Sequence, residues 1–339
     1  MKAALITPAV RSLVVVASAL LAVGVLSETS LYPRLRWWFE DTMQRRVGPS
    51  LPMDHVLAVD VDEESIRRLE PELGAWPYRR DVYARVARFL AAQGARAIAF
   101  DILFSEPREG DDALAAALDR RSVLAAAALS QVSDRPPDYI ERLKRAAVLE
   151  GKTDTLVQAW PDVTLPNAQL TRLSGAKTGV ISIVTDADGL VRRIPLLHQA
   201  YGEVLPSLTL AALLAADPDA AVRASSSEIR LGARAWPLDG TGLAALRYPS
   251  NATAVPVVPF FQVLAAESGA PGNAHVGDLV RDRIVFLGSS SAVLGDFALT
   301  PVGRLPGLTL NALFTELLLS GGVRRPGAWW LDVLLIALA

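Results

Sequence analysis

The chain begins and ends in apolar sequence, and this pair of runs constrains its fold more than any motif between them. Residues 12–26 (SLVVVASALLAVGVL) carry no charge, and residues 328–339 (AWWLDVLLIALA) are apolar apart from Asp332. Roughly 300 residues of ordinary soluble character separate them. A helix needs ~20 predominantly apolar residues to cross a bilayer. Extending the first run outward to Ala3 and Leu31 reaches that length, with Arg11 and Glu28 left at the interfaces. No small-x-small cleavage site follows Leu26, so residues 1–30 are expected to be a retained transmembrane anchor. Tyr32, Trp37 and Trp38 after the first run, and Trp329 and Trp330 in the second, suit the membrane–water interface. The second run is short: its 12 residues make about 18 Å of helix against a ~30 Å hydrocarbon core. Residues 328–339 are therefore expected to start a membrane helix that continues beyond Ala339. A domain held this way must bring both of its ends to one membrane face.

The 339 residues suffice for a large core. A formal net charge of −2 gives no basic surface for nucleic acid, which is excluded as a partner. The chain has no cysteine, which excludes disulfides, thiolate catalysis and cysteine-ligated zinc. Lys2 and Arg11 precede the first apolar run, while Arg34, Arg36, Arg45 and Arg46 follow it. This charge distribution leaves the side of the membrane open.

Residues 31–53 read as a juxtamembrane stalk, helical through Arg34–Arg46 and ending at Gly48-Pro49. The soluble domain spans 54–322. HVLAVDVDEES is a strand running into a helix start. Arg79–Gln93 is an amphipathic helix with Val82, Tyr83, Val86, Phe89 and Leu90 on one face and Arg79, Arg80, Arg85 and Arg88 opposite. Gly94 stops it, and ARAIAFDILFSEP is a second buried strand, so this stretch forms a parallel βαβ unit. A strand near Val123–Leu129 follows, then a surface excursion over 131–178 with a helix at Asp138–Leu149. The Asp188-Gly189 turn between GVISIV and LVRRIPLLH predicts a β-hairpin. An apolar helix at Ser207–Ala216, short strands in EIRLGARAWPL and ALRYP, the strand RIVFLGSSS and a helix from Gly307 through Leu319 complete the series. The expected fold class is α/β: a parallel or mixed sheet with flanking helices and inserted β-hairpins, preceded by the N-terminal transmembrane helix.

Three apolar strands end in polar residues: VLAV before Asp60 and Asp62, AIAF before Asp101, and IVFL before Gly288, Ser289 and Ser290. Ligands bind at the carboxyl ends of strands in open parallel sheets. If these strands are neighbours, those residues converge, and Asp296 and Thr300 can join from the next loop. Carboxylates would hold a cation, amines or sugar hydroxyls, and a serine turn offers N–H groups to an anion. Trp76 can wall such a pocket and Arg79 can pair with an anion. Each residue also has a structural role open to it. Asp60 and Asp62 can cap a helix, Arg79 can pair with a nearby Asp, and the serines can simply turn the chain. His55, His198 and His275 are isolated, and no P-loop, dinucleotide fingerprint or serine-hydrolase elbow is present. No enzyme chemistry and no cofactor are expected in this stretch, and no particular metal is specified.

AVDVDEESI, GAWPYRR, GARAIAFDILFSEP with Asp111-Asp112, DADGLVRRIPL, PSLTLAAL, RIVFLGSSS, Asp296 before Thr300-Pro301, and Pro306-Gly307 occur here in one order. Together they resemble the class-2 CHASE domain, over about residues 54–322. The resemblance implies an extracytoplasmic sensor on a bacterial inner (cell) membrane, with residues 31–325 in the periplasm or extracellular space. It implies an unknown small-molecule or envelope ligand, a homodimer, and a cytoplasmic adenylate cyclase, histidine kinase or serine/threonine kinase beyond this chain. It supplies no ligand identity. Two positions depart from the family pattern: Tyr78 where tryptophan is frequent, and Asn311 where histidine is frequent. Two other functions stay open: a membrane-tethered periplasmic enzyme using Asp60, Asp62 and Asp101, and a non-signalling envelope scaffold.

Overall fold

The computed structural model describes Ser18 and residues 31–149, 157–291 and 297–325. Seven strands form its central sheet: β1 (Val56–Asp60), β2 (Ala97–Phe100), β3 (Ser122–Leu129), β4 (Asp162–Thr164), β5 (Lys177–Val180), β6 (Val257–Pro259) and β7 (Ile284–Gly288). Six run parallel in the order β6–β1–β7–β2–β3–β5, and β4 pairs antiparallel with the end of β3. The last strand of the chain to join, β7, is inserted between β1 and β2. All residues of β1, β2 and β7 are buried, which is why they read as unbroken apolar runs.

Alternation along these strands divides the interior into two cores. Val56, Ala58, Ala97, Ala99, Ile284 and Phe286 face one core, while Leu57, Val59, Ile98, Phe100, Val285 and Leu287 face the other. The first is covered by α4 (Leu208–Ala216) and α6 (Gly307–Leu319). The second is covered by α2 (Glu63–Leu73), α3 (Arg80–Ala92) and α5 (Phe260–Glu267). Small residues let α4 lie close to the sheet: a Cβ added at Gly179 would stand 2.7 Å from the Leu208 Cα.

Helix α1 runs Leu31–Val47 and stops at Gly48. Among the described residues no helix is long and apolar enough to cross a membrane. The segments expected to do so, 1–30 and 328–339, lie outside the described residues apart from Ser18.

Three expectations are corrected. The hairpin at Asp188-Gly189 does not form. The turn is present, with Gly189 N–H donating to Asp186 O at 2.9 Å, but its arms part. One arm supplies β5, and the other, Arg193–Pro195, pairs with Leu243–Leu246. Arg192 and Arg193 fold back onto Asp186 and hold the turn away from strand geometry. Hairpins occur instead at Leu197–Ala200 with Glu203–Pro206 and at Phe297–Thr300 with Gly303–Pro306. The 131–178 excursion is anchored rather than superficial, since Asp162 is fully buried and accepts hydrogen bonds from Arg135, Ser133 and Tyr139. Arg80, placed on the solvent face of its helix by periodicity, is buried.

Candidate functional site

Because β1, β7 and β2 lie side by side and parallel, their carboxyl ends bring Asp60, the Gly288–Ser291 turn and Asp101 to one sheet edge. A cleft of about 480 Å³ opens there, lined by Trp76, Pro77, Arg80, Asp101, Ser105, Glu106, Arg108, Ile181 and Ser289. Gly288 permits the arrangement. A Cβ at that position would stand 3.1 Å from the Asp101 Cβ, the Asp101 carbonyl and Leu308 Cδ1. The Asp101 carboxylate accepts from Asn311 Nδ2 at 3.1 Å, which ties the cleft to the first turns of α6.

Asp60 sits behind the cleft and organises the serine turn. It accepts from Ser290 N–H at 2.8 Å and from Ser290 Oγ at 2.5 Å. Burial raises the Asp60 carboxyl above its ordinary pKa, and the neighbouring charges of Asp62 and Glu63 add to that, against the two bonds from Ser290. Ser289 Oγ donates to Val61 O at 2.6 Å, so the turn is pinned to both ends of the β1 exit. Asp62 caps α2, accepting from Ser65 N–H at 2.7 Å.

Arg79 does not line the cleft. Its exposed side chain pairs with Asp81 at 3.1 Å and Glu109 at 2.8 Å. The next residue does: Arg80 is 3% exposed, pairs with Asp111 at 3.3 Å and lies over the Phe104 ring at 4.2 Å. Thr300 closes the turn of its own hairpin by donating to Gly303 O at 2.6 Å. Asp296 lies outside the described residues. The structure thus gathers Trp76, Asp101 and Ser289 at the cleft with Asp60 and Ser290 in support, and gives Asp62, Arg79 and Thr300 other contacts. Among the described residues no group of three or more His, Asp or Glu is placed to hold a metal ion.

Sequence reasoning missed two features. Glu316 on α6 is fully buried and accepts from the His55 backbone N–H at 3.0 Å, with the His55 ring Nδ1 2.8 Å away. A lone carboxylate in the apolar run LTLNALFTELLL was the available signal, because a buried charge requires a partner. The second is the junction of the domain with α1. Arg192, almost wholly buried, binds Asp41 of α1 at 2.9 and 2.7 Å, Asp186 at 2.9 Å and Asp188 at 2.9 and 2.7 Å. Burial alone would lower the Arg192 pKa, but these carboxylates outweigh it and raise it above the ordinary arginine range. Gln44 accepts from Tyr248 N–H at 2.8 Å, and Arg45 donates to Pro301 O at 3.1 Å. Glu40 accepts from Arg324 at 2.5 Å, on the short strand Val323–Arg324 that follows α6.

No curated protein and no solved structure matches the chain. A family match is found to the CHASE2 domain, over residues 15–339. The match takes in the sheet, the cleft and the α1 junction alike, and the chain is a member of the CHASE2 family of extracellular sensory domains.

Proposed function

We propose that this chain is the extracytoplasmic sensing portion of a bacterial transmembrane receptor. A ligand in the Trp76–Asp101–Ser289 cleft shifts α6, and α6 passes the shift to the membrane-proximal ends of the domain. The observation that carries this reading is the continuity of α6. It starts at the cleft, where Asn311 donates to Asp101, is held to β1 through Glu316 and His55, and leads to Arg324, which grips Glu40 of the stalk. Both ends that face the membrane therefore meet at one junction, and a small displacement of α6 alters their relation. The domain is read as lying in the periplasm or outside the cell, between an N-terminal anchor and a second membrane helix. The output is an adenylate cyclase, histidine kinase or serine/threonine kinase on the cytoplasmic side. Of the three aspartates open to a catalytic role, Asp101 is engaged by Asn311, Asp60 by Ser290 and Asp62 by a helix cap, rather than facing one another as an acid–base pair, which favours sensing over hydrolysis.

The receptor is also read as a homodimer. Leu35, Phe39, Met43 and Val47 recur every four residues along α1 and are exposed, with Trp38 beside them. An i,i+4 ridge of this kind packs into its own copy at a crossing angle of about −50°. A second copy anchored in the same membrane presents that copy in the matching orientation, giving the self-complementary contact of a two-fold dimer.

The test is a thermal-shift screen of the membrane-reconstituted chain against small metabolites, since a ligand that binds only the folded state raises its unfolding temperature. A hit should be lost in Trp76→Ala and Asp101→Ala and retained in Arg79→Ala. A screen in which no hit is weakened by Trp76→Ala or Asp101→Ala would remove the cleft as the sensing site.

A further inference from the structure

A second cavity, of about 260 Å³, lies away from the cleft, at the amino-terminal start of β5. Its walls carry three cationic side chains, Arg142, Arg145 and Lys177, and no carboxylate. Arg142 is 8% exposed. Its Nε donates to Thr171 Oγ1 at 3.3 Å and its Nη2 to Pro166 O, while among the described residues its Nη1 carries no hydrogen bond. Asp138, the nearest acid, gives its close ion pair to Arg172 at 2.8 Å and stands 3.9 Å from Arg142. Thr178 also lines the cavity. It is 6% exposed, and among the described residues its hydroxyl has no hydrogen-bond partner. The Lys177 ammonium has none either.

A buried guanidinium with a free edge, a free hydroxyl on a buried threonine and an unpaired ammonium make a set of donors with no carboxylate among the lining side chains. The carboxyl end of the Tyr139–Ala146 helix also borders the cavity, and its dipole amounts to about half a negative charge. With Arg145 paired to Glu141, the two remaining positive charges, on Arg142 and Lys177, still exceed it. We propose that this cavity is a binding site for a compact oxyanion carrying two or more negative charges, a phosphate or a polycarboxylate, distinct from the sensing cleft. The Arg142 fork suits either group, because guanidinium matches both geometries with paired N–H donors. The ligand would bridge the Tyr139–Ala146 helix to the edge strand β5 and tighten that flank of the sheet.

The experiment titrates the membrane-reconstituted chain with inorganic phosphate and, separately, with citrate, at constant ionic strength set by potassium chloride. At least one titration should saturate and raise the unfolding temperature by several degrees at a large excess over Kd. Phosphate alone identifies a phosphate site, citrate alone a polycarboxylate site, and both a general oxyanion site. Lys177→Ala and Arg145→Ala, whose side chains reach the surface, should each weaken binding about tenfold, the loss expected for one charge-assisted hydrogen bond. Arg142→Lys tests the fork while keeping the charge and should weaken binding further. Trp76→Ala and Asp101→Ala should leave this binding unchanged, so that failure of the cleft and failure of this site are read separately. The proposal is overturned if chloride reproduces the effect, if neither anion binds below about 10 mM, or if Lys177→Ala and Arg145→Ala both respond like wild type.

Discussion

Glu40 and Arg324 are joined by a 2.5 Å hydrogen bond across 284 positions of sequence. One residue belongs to α1 and the other to the last described strand, so the bond joins the two ends of the described domain. Burial pushes the Glu40 carboxyl up, but the guanidiniums of Arg324 and Arg36 reverse this and hold it below its ordinary range. A depressed carboxylate contributes stability that is present above its unfolded pKa and lost as pH falls through the folded value. The link is therefore fully formed at neutral pH. A double-mutant cycle with Glu40→Gln and Arg324→Gln should return a coupling of about 1 kcal/mol, since the pair is only partly buried. A coupling near zero in urea unfolding would mean that the contact does not hold the two ends together.

Arg192 should be far more sensitive. Its removal leaves Asp41 buried with its cation gone and Asp186 held by Arg193 alone. Arg192→Ala should cost about 3–5 kcal/mol, the penalty for breaking a buried ion network from one side. Restoring part of the balance with Asp41→Asn in the same chain should recover some of that loss. Denaturant midpoints of the two variants make the comparison.

His198 is fully buried, accepts from Trp160 Nε1 at 3.0 Å, and burial pushes its pKa down to about 3. Between pH 6.5 and about 3 the unfolded chain binds a proton that the folded chain refuses. This contribution is thus constant above 6.5 and costs stability as pH falls below it, by about 1.4 kcal/mol per pH unit. His198→Gln should flatten the fall in unfolding temperature between pH 6 and pH 4. Parallel pH profiles for the two proteins would contradict the assignment.

Gly288→Ala should be destabilising by about 1–3 kcal/mol, because the new methyl group meets backbone at Asp101 as well as the end of Leu308. The same change should loosen the Asp101–Asn311 contact and reduce any ligand response of the cleft. A variant as stable and responsive as wild type would show that the turn has slack.

Phe39→Asp on the exposed ridge of α1 should shift the reconstituted receptor toward monomer without altering its unfolding temperature by more than a degree or two. Sedimentation of wild type and variant reads this directly.

The central sheet was largely legible because strands buried on both faces must be apolar throughout, and VLAV, AIAF and IVFL advertise this. Their polar ends marked the site edge for the same reason. The cleft arginine was not legible, since Arg79 and Arg80 differ by one position and about 100° of helix rotation. Contacts with Asp111, Phe104 and the Glu106 carbonyl, all distant in sequence, turn Arg80 inward. The DADGLVRR turn misled because a turn signal fixes a reversal but not whether its arms pair. Here Asp186 and Asp188 serve the α1 junction through Arg192, a relationship that depends on Asp41, about 150 residues earlier.

The proposed relay makes the cleft and the Glu40–Arg324 junction one mechanical unit through α6. Asn311→Asp places a second carboxylate against Asp101 and pushes α6 away from the cleft without any ligand. Hydrogen–deuterium exchange on the reconstituted chain should then rise not only near residues 101–106 and 307–312 but also at 322–325 and 40–47. A rise confined to the residues around the cleft, with the Glu40–Arg324 region as protected as in wild type, would contradict the account.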